Sequence, residues 1–344
     1  MLRSDFCRFA FTPLSLMIVV AGLVGLGKSP EVNAGELNAA HVPADALWLI
    51  HVDYEALSDS PMWQKIREEK PVVAKMMQGL MKQRYGIDLS TDLKSITMFS
   101  RDYKIYTGTV IVHADYDASK IEERMKQALD HRTTQFNDHT LHTVTLSKQK
   151  SDDDGPSGDE EMTVVMVDKH TLLLASSVAN AQENLKRMAG EGESLKDKPS
   201  KLLRDEAGKA WIYGSAIDLG KLKDHPVSMP VIAQHERITW SLGEQSDGKI
   251  YEKAELVAQS EEVATKMKKV LDGAVAFETL SAEGSEALTA LIKDVEVKQD
   301  GKTAMFEWSG SSDQVVAALD DVFARMETWK SMFVDRKPKD RSAL

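Results

Sequence analysis

Five sets of residues have types and spacings that chemistry uses, and each meets a physical objection. Gly22-Leu23-Val24-Gly25-Leu26-Gly27-Lys28-Ser29 fits the phosphate loop G-x-x-x-x-G-K-S. Such a loop holds phosphate only between a strand and a helix N-terminus. Here Pro30, Asn33, Ala34 and Gly35 follow, and no amphipathic helix starts in register. His139 and His142 stand three apart in a strand-like stretch, so they face opposite sides and would chelate one metal only across a bulge; a surface or cross-strand role is expected. The run Asp152-Asp153-Asp154-Gly155, with Asp159, Glu160 and Glu161, has the charge to attract calcium. A calcium loop with Gly155 sixth would start at Lys150, and lysine is no calcium ligand. A solvated hairpin loop over 152–161 is expected instead. Met76, Met77 and Met81 are soft copper ligands in type. Leu80 lies between the two that share a helix face, and core filling is the ordinary use of methionine.

Asp53 and Asp218 are the fifth set, acids that recur in one local pattern. Each ends an apolar run and precedes a short helical turn. An aspartate there accepts backbone N–H bonds and stabilises by about 0.5–2 kcal/mol, which explains both without catalysis. The nucleophile elbow G-x-S-x-G, the S-x-x-K set with its S-D-N or K-T-G partner, and H-E-x-x-H do not occur. No catalytic, cofactor-binding or metal-ligating residues are assigned, and no cofactor is expected.

The elements that would position any site begin after an export signal. Arg3 and Arg8 give a basic start, and an apolar run follows from Phe9 to Leu26. Val32-Asn33-Ala34 then offers small or apolar residues at −3 and −1, which places signal-peptidase cleavage near Ala34. The alternative is a retained N-terminal anchor, since the run is long enough for a thin bilayer. No second stretch is apolar enough to span, so no stable membrane insertion is expected after cleavage. The one cysteine, Cys7, leaves with the signal. That rules out an intramolecular disulfide, a cysteine zinc site and a cysteine-ligated cluster.

The 344 residues carry 43 Lys+Arg against 54 Asp+Glu, a net charge of −11. Cleavage removes three cations and two anions (Arg3, Arg8, Lys28; Asp5, Glu31), which makes the remainder one unit more acidic. Such a chain is a poor partner for nucleic acid or an anionic membrane. The hydrophobic content of 42% is enough to build a core.

An internal duplication organises the rest. Asp53-x3-Leu57-x-Asp59-x-Pro61 returns as Asp218-x3-Leu222-x-Asp224-x-Pro226. Lys104-Ile105-Tyr106 matches Lys249-Ile250-Tyr251, Met125-Lys126 matches Met267-Lys268, and Asp168-x2-Thr171 matches Asp300-x2-Thr303. The matches keep one order while their offset shrinks from 165 to 132. The expected fold is α+β: two tandem related units, each an antiparallel sheet with helices packed on one face. The divisions are a signal peptide over 1–34, unit one over 45–190, a linker over 191–205, unit two over 206–333 and a disordered tail over 334–344.

Unit one reads as a strand over 46–53, a helical stretch from Pro61 to Tyr85 capped by Ser60 and divided at Pro71, and strands at 93–101 and 105–114. A helix follows from Ser119, with Glu122 completing a capping box and Ile121, Met125, Ala128 and Leu129 as its apolar face. Strands at 134–147, 161–168 and 170–176 and a helix at 178–190 close the unit. Unit two repeats this from Trp211 and ends on a helix capped by Ser311 and Gln314, with Val315, Leu319, Val322, Met326, Trp329 and Phe333 recurring at spacings of 4 and 3.

The opening VPADALWLIHVDYEALSDSPMWQKI resembles a type found in uncharacterised secreted bacterial proteins, notably of planctomycete type. Val42-Pro43-Ala44-Asp45, Asp53, Leu57 and Ser60-Pro61 carry the match. The resemblance implies export and supplies no catalytic residue. The expected function is an exported soluble envelope or extracellular protein, non-enzymatic, that binds or scaffolds a periplasmic or extracellular partner. The alternative is a hydrolase or metal-dependent enzyme with its site between the units. A third reading is a homo-oligomer joined through a sheet edge or the last helix.

Overall fold

The computed structural model describes residues 35–70, 92–104, 107–146, 160–224 and 230–322. The export signal, the phosphate-loop match, Pro71, the methionines at 76, 77 and 81, Asp152 to Asp159, Met326, Trp329, Phe333 and the tail lie outside the described residues.

In chain order, a 3-10 turn (Ala39–His41) leads to β1 (Trp48–Asp53), α1 (Tyr54–Asp59), α2 (Pro61–Glu69), β2 (Leu93–Ser100) and β3 (Thr109–Ala114). Then come α3 (Ala118–Lys126), β4 (Arg132–Phe136), β5 (His139–Leu146), β6 (Glu160–Met166), β7 (Thr171–Ala175) and α4 (Val178–Met188). The second half has β8 (Ile212–Ile217), 3-10 turns at Leu219–Asp224 and Ile232–Gln234, β9 (His235–Glu244) and β10 (Ile250–Ala258). It closes with α5 (Glu261–Ser281), α6 (Glu286–Lys293), β11 (Glu296–Asp300), β12 (Thr303–Gly310) and the helical residues 312–322, here α7.

All twelve strands form one antiparallel sheet, ordered β11-β12-β10-β9-β8-β1-β2-β3-β7-β6-β5-β4. Two sheets were expected and one is found. The reason is the pairing of β1 with β8, from Trp48↔Ala216 to Val52↔Ile212. Each strand would otherwise leave a row of backbone N–H and C=O groups without partners in the sheet. Outward from this seam the order is β1-β2-β3-β7-β6 on one side and β8-β9-β10-β12-β11 on the other. The β4–β5 hairpin is extra to the first side.

Alternation sorts the core into two faces. Val52, Leu172, Ile212, Leu242, Leu256 and Phe306 point to the first face, against α1, α2, α5, α6 and α7. Met125 of α3 packs there on Val144 and Val164. Leu49, Phe99, Ile111, Val165, Leu173 and Tyr213 point to the second face, which α4 covers with Ala181 and Leu185. Helices therefore lie on both faces, not on one. The segment read as a linker also runs over the second face: Ser194 bridges to Pro43, and Leu195 and Leu202 join the core. Among the described residues, no helix is long and apolar enough to cross a membrane.

Local chemistry explains the boundaries. Ser60 accepts from the Trp63 N–H, with Pro61 at the first helical position of α2. The Ser311 hydroxyl accepts from Gln314 N–H at 3.2 Å, and the Gln314 side chain accepts from Ser311 N–H at 2.7 Å, a closed capping box. Three expectations change. Asp117, not Ser119, caps α3, its carboxylate accepting from Ser119 and Lys120 N–H. Leu129 is 64% exposed, because α3 has ended before it. The strand expected over 134–147 is the β4–β5 hairpin, turned at Asn137 with φ +49°. Asn tolerates that left-handed backbone better than most residues.

Candidate functional site

A polar group lies on the second face, under Gly35 and His41 of the segment before β1. Topology assembles it. β1 supplies His51 and Asp53, β2 supplies Ser95 and Thr97, β3 supplies His113 and β7 supplies Thr171. Register sets His51 beside Thr97, Asp53 beside Ser95, Ser95 beside His113 and His113 beside Thr171.

His51 is 1% exposed and both ring nitrogens are engaged. Nε2 lies 2.9 Å from the Gly35 carbonyl, and Nδ1 lies 2.9 Å from the Thr97 hydroxyl. A carbonyl only accepts, so Nε2 carries the proton and Nδ1 accepts from Thr97. Burial pushes His51 down to about 4, so the imidazole is neutral at neutral pH. Thr171 Oγ1 is 3.3 Å from His113 Nδ1, and the His41 and His113 rings stand 6.4 Å apart. Burial lowers both of these histidines as well. Asp53 accepts from Ala56 N–H at 2.9 Å, the expected cap of α1. Burial first, then Glu55 and Glu36, push its carboxyl up to about 6 against that bond.

Asp218 does not repeat this arrangement. It adopts φ +56° and its carboxylate meets Lys221 Nζ at 3.5 Å, whereas Asp53 has φ −82°. In the β1–β8 ladder Asp53 N–H donates to the Trp211 carbonyl at one end, and Asp218 follows Ile217, whose N–H donates to the Leu47 carbonyl at the other, so the two acids are not brought together.

A second cleft, of about 500 Å³, opens between α4 and the segment before β1. Arg101, Asp45, Glu183 and Arg187 in its lining are paired with one another. Arg101 Nε donates to Asp45 at 2.6 Å, and its Nη1 and Nη2 meet the two Glu183 oxygens at 2.6 and 2.5 Å. Glu183 also accepts from Arg187 at 2.9 Å, and Arg187 donates to Asn184 Oδ1 at 2.8 Å. The Arg101 hydrogen bond holds Glu183 below the usual carboxylate range.

In the second half, a cleft of about 530 Å³ is lined by Glu252 and Trp308, among others. Glu252 sits between Leu242 and Trp308 in register and accepts from Trp240 Nε1 at 2.9 Å. Full burial pushes its carboxyl up to about 8, so it is protonated at neutral pH. Sequence reasoning missed this acid. The signal was its place among Ile250, Ala254 and Leu256, the inward positions of one strand.

His142 finds a partner other than His139. It stacks on His131, with ring nitrogens 3.1 Å apart, on the face opposite to His139. Glu161 of the acidic run sits on β6 and pairs with Arg132. Among the described residues, no three His, Cys, Asp or Glu side chains form a metal-holding group.

No protein-family model matches the chain, and no curated protein matches it. Among solved structures it is similar to TP0453 in crystal form I, with TM-score 0.42 and 7% identity, over 83% of this chain and 96% of that one. At those values the likeness carries no argument about function.

Proposed function

We propose that this chain is an exported binding or scaffolding protein of the bacterial envelope or exterior, of the secreted type its opening resembles. Two related units share its sheet. The carrying observation is how the charged groups of the α4 cleft and the buried His51 are spent. Arg101, Asp45, Glu183 and Arg187 neutralise one another, and His51 spends both nitrogens on Gly35 and Thr97. Groups committed in this way hold shape. A general base or nucleophile needs its reactive atom within reach of substrate.

The two-unit reading is supported by the shared strand order on either side of the seam. The matched Asp168–Thr171 and Asp300–Thr303 stretches both turn the outer hairpin, β6 to β7 and β11 to β12. Met125 and Met267 are both buried on helices of the first face. The copies have diverged: α4 closes its half on the second face, and α7 closes the other half on the first.

The sheet edges favour binding by a face over edge-to-edge self-association. β4 is Arg-Thr-Thr-Gln-Phe with four exposed residues, and β11 carries Glu296, Lys298 and Asp300. Charged and polar edges disfavour strand addition.

Fractionation of a bacterium expressing the full gene tests the reading. The protein should be recovered in the periplasmic or culture fraction, lighter by the mass of residues 1–34. Full-length protein held in the membrane fraction would support the anchor instead.

A further inference from the structure

The first described residue is packed into the second face. Gly35 is buried, and its carbonyl accepts from His51 Nε2 at 2.9 Å. A Cβ built on its Cα would stand 2.4 Å from Asp53 Oδ1 and 3.1 Å from Oδ2, so a side chain there would displace the Asp53 carboxylate. The Gly35 nitrogen is bonded to the same Cα and therefore lies within about 5 Å of that carboxylate. Around Asp53, Glu36 on the first segment and Glu55 on α1 are both acidic. Lys94 of β2 is turned to Glu55 at 3.0 Å. On the neighbouring strands His51 and His113 are neutral, since burial lowers both. A carboxylate in such surroundings is stabilised by a nearby cation.

We propose that Asp53, with the Gly35 carbonyl fixed by His51, is a receptor for the chain's own α-ammonium, created when the Ala34–Gly35 bond is cut during export. This rests on the export reading and adds what the cut does to the fold. Water supplies a hydroxyl to the Ala34 carbonyl carbon and hydrogen to the Gly35 nitrogen. An uncharged amide thereby becomes an amine that is mostly ammonium at neutral pH. A carboxylate offers about four acceptor sites, and the Ala56 N–H takes one of them. The precursor thus folds over an acid without this cation, and the processed chain folds over an ion pair. The cut tightens the seating of residues 35–41 on β1.

The test uses processed protein from the exported full gene, with its intact mass fixing the first residue. The α-amine is then reacted with an amine-acylating reagent at neutral pH, and labelling is followed by peptide mass. Gly35 should label about tenfold more slowly than in the Asp53→Asn protein, equivalent to a one-unit rise in the amine's value. Asparagine keeps the cap of α1, so the comparison isolates the charge. A second full-length variant, with one glycine inserted after Ala34, keeps Asp53 and moves the ammonium away. It should lose the protection and melt about 5 °C lower, and it decides the matter if Asp53→Asn fails to fold. A first residue other than Gly35 overturns the cleavage position. A Gly35 start whose amine labels as fast as the inserted variant overturns the receptor.

Discussion

Replacing Glu252 by glutamine is expected to stabilise the fold by roughly 3 kcal/mol at pH 7 and by almost nothing at pH 4. Glu252 is 3% exposed and accepts one bond from Trp240 Nε1, which a glutamine oxygen accepts equally well. Its folded-state value is raised from the ordinary 4.5 to about 8. The sign follows from that direction. Below about 4.5 the group is protonated in both folded and unfolded chains and adds no pH-dependent cost. Between about 4.5 and 8 the unfolded chain releases a proton that the folded chain keeps, and stability falls by about 1.4 kcal/mol per pH unit. Above about 8 the loss is complete. Urea unfolding of both proteins at pH 4, 6 and 8 measures this, because the other titrating groups cancel in the difference. A difference that stays constant with pH would show that Glu252 ionises normally.

Truncating Trp63 to alanine is expected to cost about 3–5 kcal/mol. Trp63 is 2% exposed and among the largest buried side chains. It stands one turn after the Ser60 cap, so the cap fixes the face of α2 that enters the core. That core joins the halves: it includes Met267, Leu288, Leu291, Val315, Val316 and Leu319 from the second half beside Tyr54, Leu57 and Trp63 from the first. The ion pairs Lys65–Asp313 and Lys70–Asp320 join α2 to α7 and its start. The loss should therefore lower one unfolding midpoint for the whole chain, with an unchanged denaturant slope. Two separated transitions, with only the first half shifted, would mean that the halves are energetically independent.

What the sequence revealed was what neighbouring residues decide. Ser60-Pro61 and Ser311…Gln314 act within four residues, and both caps form as read. Asp53 caps α1 for the same reason. The hairpin within 134–147 was masked by its β-branched flanks, Thr133, Thr134, Thr140, Thr143 and Val144, although Asn137-Asp138 is a turn signal. The polar group under residues 35–41 was not legible. His51, Thr97, His113 and Thr171 are scattered over 120 residues and meet only through strand order. The same holds for the placement of α4 on the second face and for the single sheet. These depend on β1 choosing β8, a partner more than 150 residues away.

That pairing underlies the shared core, the shared strand order and the proposed scaffold. A cysteine pair at Ile50→Cys and Gly214→Cys tests it most directly. The two residues are register partners, and a Cβ built on Gly214 lies 4.0 Å from Ile50 Cγ1. The native cysteine, Cys7, lies in the segment expected to be removed. Mild oxidation of the processed protein should give one intramolecular disulfide, seen by peptide mass as residue 50 linked to residue 214. Two free thiols, or dimers linked between chains, would contradict a sheet joined through β1 and β8.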